Sequence, residues 1–147
     1  MTPRQRVYAK NGMAKVKRRN AQPEYEAQCA VFAWAALMEG KYPDLALLFS
    51  TLNGVRTSMR QAIKAKKAGM KKGVPDLWLP KATYRGAASE VCTPGLVGEM
   101  KAPNGVVSKE QKAWLAALAN EGWMTGVWYS AEEAIAAISK YLDIPTA

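Results

Sequence analysis

Between residues 23 and 143 the sequence alternates amphipathic stretches of helical length with apolar runs too short to be helices. A chain built this way must stack helices against a sheet, because each element has one apolar face to hide. Pro23 opens the first amphipathic stretch and Gly40 closes it. At about 100° per residue, Ala27, Val31, Ala35 and Met38 fall on one stripe, with Glu24 and Gln28 at its edge and Glu26 opposite. Leu45–Phe49 is a short apolar run before the turn signal Asn53-Gly54; it predicts a buried strand, with a helical turn as the open alternative. A basic helix is predicted over 56–68, stopped by Gly69. Pro75 biases its neighbour towards extended backbone, and Asp76–Pro80 reads as a buried strand. Residues 81–95, rich in Gly, Ala, Thr and Pro, predict a long hairpin-like loop. Leu96–Lys101 is the next predicted strand. Ser108 starts a helix to Asn120 with Trp114, Leu115 and Leu118 turned inward. Thr125–Tyr129 predicts a strand, and Ser130 caps a final helix carrying Ile135, Ile138 and Leu142. The expected fold is α/β, a mixed sheet flanked by helices.

Residues 1–22 show no periodicity and predict a flexible basic arm ahead of one domain over 23–147. The chain has 147 residues, 49% of them apolar, enough for one ordinary core. No apolar run is long enough to span a bilayer, and the first residues lack a secretory signal's apolar stretch. The protein is therefore expected to stay in the compartment where it is made.

The formal net charge of +9 is unevenly spread. Residues 1–22 hold seven basic groups and no acid, as do residues 55–72, while the rest holds 7 basic and 12 acidic groups. Two basic segments on an acidic body point to a polyanion, with nucleic acid the simplest choice. Arg56, Arg60, Lys64 and Lys67 fall within an arc of about 80° on an ideal helix. With Lys71 and Lys72 they form a candidate DNA track. A solvated helix face is the bland alternative for any one of them.

There is no histidine, and the two cysteines, Cys29 and Cys92, lack metal-ligand spacing. Zinc sites, Ser-His-Asp triads and Cys-His pairs are thereby excluded; the thiols are expected to be buried or incidental. A hydrolase built from this composition needs carboxylates and a hard cation. Asp76 stands at the mouth of an apolar strand, and Glu99 and Lys101 are two apart on another. Period-two alternation places Glu99 and Lys101 on one face and Met100 on the other, with the Met100 carbonyl left beside the polar pair. Two carboxylates and a carbonyl suit Mg²⁺, and a lysine alongside suits a phosphoryl transition state. Alone, Glu-x-Lys is more often an ion pair and an Asp after proline a strand-end cap.

Taken in order, Glu24-x-x-x-Gln28, Asn53-Gly54, Gly73-Val74-Pro75-Asp76-Leu77, Glu99-Met100-Lys101 and Ser108-x-Glu110-Gln111 before Trp114, Leu115, Leu118 and Gly122 resemble the VRR-NUC family. This is a branch of the PD-(D/E)xK nuclease superfamily, and the resemblance spans about residues 22–143. It implies a restriction-endonuclease-like fold and Mg²⁺-dependent, structure-selective DNA cleavage, with Mn²⁺ as a substitute. Compact members in phage and bacterial genomes further imply a homodimer acting on four-way (Holliday) junctions in the cytoplasm of a bacterial or phage-infected cell. By position, Asp76, Glu99, the Met100 carbonyl and Glu24 would serve the metal, Lys101 would be the catalytic lysine, and Gln111 would lie near the active site. Each has a plainer reading: Glu24 suits a helix N-terminus, and Ser108-x-x-Gln111 is a capping box. One departure is the thin strand Gly95-Leu96-Val97-Gly98 after an apparent insertion at 81–95, where the family is usually more hydrophobic. The rival classes are a non-catalytic nucleic-acid-binding module on the same fold and an RNA-directed nuclease.

Overall fold

The computed structural model of the chain describes residues 22–51, 58–88 and 90–146. Helix α1 (Pro23–Met38) leads, with proline in its first turn. A 3-10 turn (Pro43–Leu47) and a two-residue strand, β1 (Phe49–Ser50), follow. The apolar run at 45–49 is therefore mostly the helical turn, because Pro43 starts a tight coil that buries Leu45 and leaves little room for a strand. Helix α2 (Met59–Lys67) begins three residues later than expected. Ser58 and Gln61 form a reciprocal capping box, Gln61 N–H donating to Ser58 Oγ at 3.3 Å and Ser58 N–H to Gln61 Oε1 at 3.2 Å. Gly69, at φ +99°, turns the chain out of it. The arm expected over 1–22 and the Asn53-Gly54 turn lie, apart from Gln22, outside the described residues.

Strands β2 (Leu77–Leu79), β5 (Leu96–Met100) and β6 (Met124–Trp128) complete the main sheet, in the order β1-β2-β5-β6. β5 and β6 run parallel and the other pairs antiparallel, so the sheet is mixed. The stretch 81–95 is a small separate hairpin of β3 (Thr83–Arg85) and β4 (Glu90–Thr93). Helix α3 (Lys109–Asn120) joins β5 to β6, and α4 (Ala131–Tyr141) ends the domain. Ser108 and Ser130 cap these helices as their sequence positions require.

The pleat sorts side chains between the two sheet faces. Leu77 pairs with Gly98 and Leu79 with Leu96, so these and Met100 share a face. That face packs with Val31 and Ala35 of α1 and Ala134 and Ile138 of α4 into the core. Each of the larger aliphatic side chains there is worth about 2 kcal/mol by burial. Trp78, Val97 and Glu99 point the other way, toward α3.

The thin strand is explained by Trp128. Its indole lies across Gly98 and the paired Gly126; a Cβ at Gly126 would sit 2.8 Å from the ring, and one at Gly98 would run into it. The missing aliphatic volume of β5 is supplied by one large ring from β6, itself 6% exposed.

Candidate active site

Asp76 is positioned by its backbone before its side chain matters. The Pro75 carbonyl accepts from Thr51 Oγ1 at 2.8 Å and from Trp78 Nε1 at 2.9 Å, and the Asp76 carbonyl accepts from Thr51 N–H at 2.8 Å. Continuing the β2–β5 register one residue past Leu77 and Gly98 sets Asp76 opposite Glu99. The two carboxylates therefore meet across adjacent strands on the α3 face of the sheet. Asp76 Oδ2 accepts the Met100 N–H at 2.9 Å. In an extended strand a residue's N–H and C=O point to the same side, so the Met100 carbonyl also faces Asp76, while its side chain is in the core.

Glu99 is an ionisable group at 2% exposure. Its Oε1 accepts from Gln111 Nε2 and lies 3.3 Å from Lys101 Nζ. The side chains of Glu99 and Lys101 are both largely buried, so this contact is not the solvated surface pair that Glu-x-Lys most often makes. Its Oε2 is buried and meets no donor among the described residues. An acceptor left so carries a real cost unless the carboxyl holds a proton or something positive reaches it. Burial, then the neighbouring Asp76 charge, push the Glu99 carboxyl up to about 8, against the pull of Lys101. Burial also raises Asp76, and the charge of Glu24 adds to that rise, while the Met100 N–H, a hydrogen bond shared with the Glu99 carboxyl and the charge of Lys101 oppose it.

Gln111 has two partners. Its Oε1 accepts the Ser108 N–H at 2.8 Å while its Nε2 holds Glu99. Gln111 thus completes the capping box with Ser108 and also contacts Glu99. Glu24, exposed at the start of α1, accepts the Ala102 N–H at 3.2 Å. It stands at the rim and does not join the carboxylate pair: no cluster of three acidic, Cys or His side chains suited to a metal forms among the described residues. The donor set directly at hand is thus Asp76, Glu99 and the Met100 carbonyl. It fits a hard divalent cation by its oxygen chemistry and by the donorless Glu99 Oε2.

Of the basic residues, Arg60, Lys64 and Lys67 are exposed on α2, and Lys71 and Lys72 are exposed in the loop that follows; Arg56 lies outside the described residues. Lys72 Nζ is 3.1 Å from Glu110 Oε1, and the Lys72 carbonyl accepts from Trp114 Nε1 at 3.2 Å. Next to it Gly73, at φ +81°, leaves no space for a side chain: a Cβ would be 2.6 Å from Glu110 Cβ. The loop delivering Asp76 is thereby latched to the helix delivering Gln111. Sequence reasoning missed this latch, the Thr51 bonds and the Ala102 N–H. Gly73 was the available signal. Cys29 and Cys92 are both free and exposed.

A mixed sheet whose adjacent strands bring together Asp and Glu-x-Lys beneath a capping helix defines a restriction-endonuclease-like nuclease fold. The VRR-NUC domain model matches residues 9–132. The chain belongs to the VRR-NUC family, a family of nucleases. A solved structure described as a VRR_NUC domain protein is similar at 25% identity, covering 83% of this chain and 89% of that one, with a TM-score of 0.66. No curated protein matches. No helix among the described residues is long and apolar enough to cross a membrane.

Proposed function

We propose that this chain is a divalent-metal-dependent endonuclease that hydrolyses DNA phosphodiesters, with branched molecules such as four-way junctions as its preferred substrates. The observation that carries the reading is the buried, donorless Glu99 Oε2 facing a second carboxylate, Asp76, with Lys101 alongside. A buried acid beside a half-buried one is costly in a protein that only binds a polyanion. They become useful when a cation sits between them and the phosphate.

Asp76, Glu99 and the Met100 carbonyl would hold the cation, with Glu24 supporting from the rim. When bound, Mg²⁺, or Mn²⁺ in its place, supplies charge neutralisation on the phosphate and acidifies a coordinated water. Gln111 orients Glu99 by holding Oε1, so that Oε2 would be left for a cation. Lys101 offers its ammonium to a phosphate oxygen as negative charge builds. The attack in this reading is hydrolytic, by water at phosphorus. Arg60, Lys64, Lys67, Lys71 and Lys72 would track the DNA backbone, positioning it without reading sequence. A homodimer would place two such sites for paired incisions, in the cytoplasm of a bacterial or phage-infected cell.

The test is cleavage of a four-way junction, a flap, a linear duplex and an RNA hairpin in Mg²⁺ and in Mn²⁺, by the wild type and by Asp76→Ala. Cutting of DNA that Asp76→Ala loses while still binding is the expected result. A wild type that binds every substrate and cuts none in either metal returns the chain to the class of binding modules.

A further inference from the structure

Helix α2, like α3, has no fully buried residue. Its half-buried residues, Ala62 and Ala65, are small. Its large apolar side chains face outward, Met59 at 80% and Ile63 at 51% exposure. Measured from Met59 on an ideal helix, Ile63 lies about 40° round, Lys67 about 80°, Arg60 about 100° and Lys66 about −20°. The exposed stripe thus has cations on both flanks. Residues 55–72 contain no acid.

We propose that the Met59–Ile63 stripe of α2 is a wedge that seats against unstacked bases at a DNA branch while Arg60, Lys66 and Lys67 hold the phosphates on either side. The inference rests on the nuclease reading above and deepens it by naming what recognises the branch. Charge selects the occupant. A second copy docked through the same stripe would set Arg60, Lys66 and Lys67 against their own equivalents, with no acid in the segment to answer them. DNA brings the complementary charge. It also brings apolar surface, but only where stacking is already broken. An intact duplex must first be unstacked, at a cost in free energy, before an apolar side chain can enter. At a branch point much of that cost has already been met. Such a wedge therefore raises affinity for branched DNA over plain duplex without reading sequence.

The helix is placed to report on the site. Its C-terminal end is closed by Gly69 N–H to the Lys66 carbonyl at 3.1 Å and by Met70 N–H to the Ala65 carbonyl at 2.9 Å. A few residues on, the chain is clamped to α3 at Lys72 and Gly73, and then enters Asp76. A branch held on α2 is thus a short, tethered distance in sequence from the carboxylates.

The experiment compares the full-length wild type, Met59→Ser/Ile63→Ser and a Met59→Leu/Ile63→Leu control. Binding is measured by fluorescence anisotropy in EDTA, on a four-way junction and on a linear duplex of equal length. A fluorescent adenine analogue beside the crossover reports unstacking. The serine variant is expected to lose about tenfold in junction affinity and less than about twofold on duplex, and to lose the unstacking signal. The leucine control is expected to keep all three. Equal losses on both DNAs, or no loss on either, overturn the wedge. So does a change of oligomeric state in light scattering that accompanies the loss, which would make the stripe a protein interface. Because binding is read without a divalent cation, failure of the chain to cut in Mg²⁺ would reject the nuclease reading without altering this result.

Discussion

Replacing Glu99 by glutamine should stabilise the metal-free protein, and by an amount that grows with pH. The Glu99 carboxyl is raised from 4.5 to about 8, chiefly by burial and next by Asp76. Below the unfolded value both states carry the proton, and the substitution changes little beyond one hydrogen-bond pattern. Above it the unfolded chain ionises freely while the folded chain keeps its proton or holds a buried charge. Folded protein then binds more protons than unfolded, so stability falls as pH rises through the window from 4.5 to about 8. At about 1.4 kcal/mol per unit, the wild type at pH 7 has lost roughly 3 kcal/mol that the glutamine variant, which does not titrate, keeps. Part of that gain is shared with Asp76, since the two carboxyls titrate as a pair. For a chain of this size the difference is on the order of 10 °C in melting temperature near neutral pH, shrinking to a few degrees or less near pH 4.5. The assay is thermal unfolding of both proteins in EDTA from about pH 4.5 to about pH 8. Adding Mg²⁺ should raise the melting temperature of the wild type above that of its metal-free form, and move the variant little. A melting-temperature difference that stays constant across the pH range would refute the argument, because a plain packing effect does not titrate.

Four further outcomes follow from the geometry. Gln111→Ala removes both a cap and the hold on Glu99 Oε1; it should cost about 1 kcal/mol in denaturant unfolding and slow cleavage beyond what that loss explains, whereas Ser108→Ala should cost stability alone. Lys101→Ala should lower the single-turnover cleavage rate by more than about 100-fold with DNA affinity nearly unchanged, and an equal loss of affinity would make it a binding residue. Gly98→Val should destabilise by about 2 kcal/mol or more through overpacking against Trp128, and Trp128→Leu in the same chain should recover part of that in urea titrations. Lys64→Ala should weaken all DNAs alike and reduce the salt slope of binding by about one; an unchanged slope removes Lys64 from the DNA track.

Much of the site was legible because its determinants are local. Glu99 and Lys101 share a face by strand period alone, and Gln111 sits at a fixed offset from a serine cap. What joined them was not local. The register that sets Asp76 opposite Glu99 depends on strand pairing across the intervening 81–95 hairpin, which no pattern within either strand specifies. Residues 45–49 were ambiguous for a physical reason: a short apolar run has no period, and the coil started by Pro43 decides it. The late start of α2 was recoverable, since Ser58-x-x-Gln61 repeats the spacing of Ser108-x-x-Gln111. The thin β5 strand, in contrast, could not be understood from its own residues, because the volume it lacks arrives from Trp128.

The Pro75 carbonyl, fastened by both Thr51 and Trp78, has a consequence for the proposed cation site. Asp76 is held in place by bonds that owe nothing to a bound metal, so the cradle exists before anything fills it. Chelators should therefore silence the protein without unravelling it, and resupplied cation should restore it at the pace of ion entry, with no refolding delay.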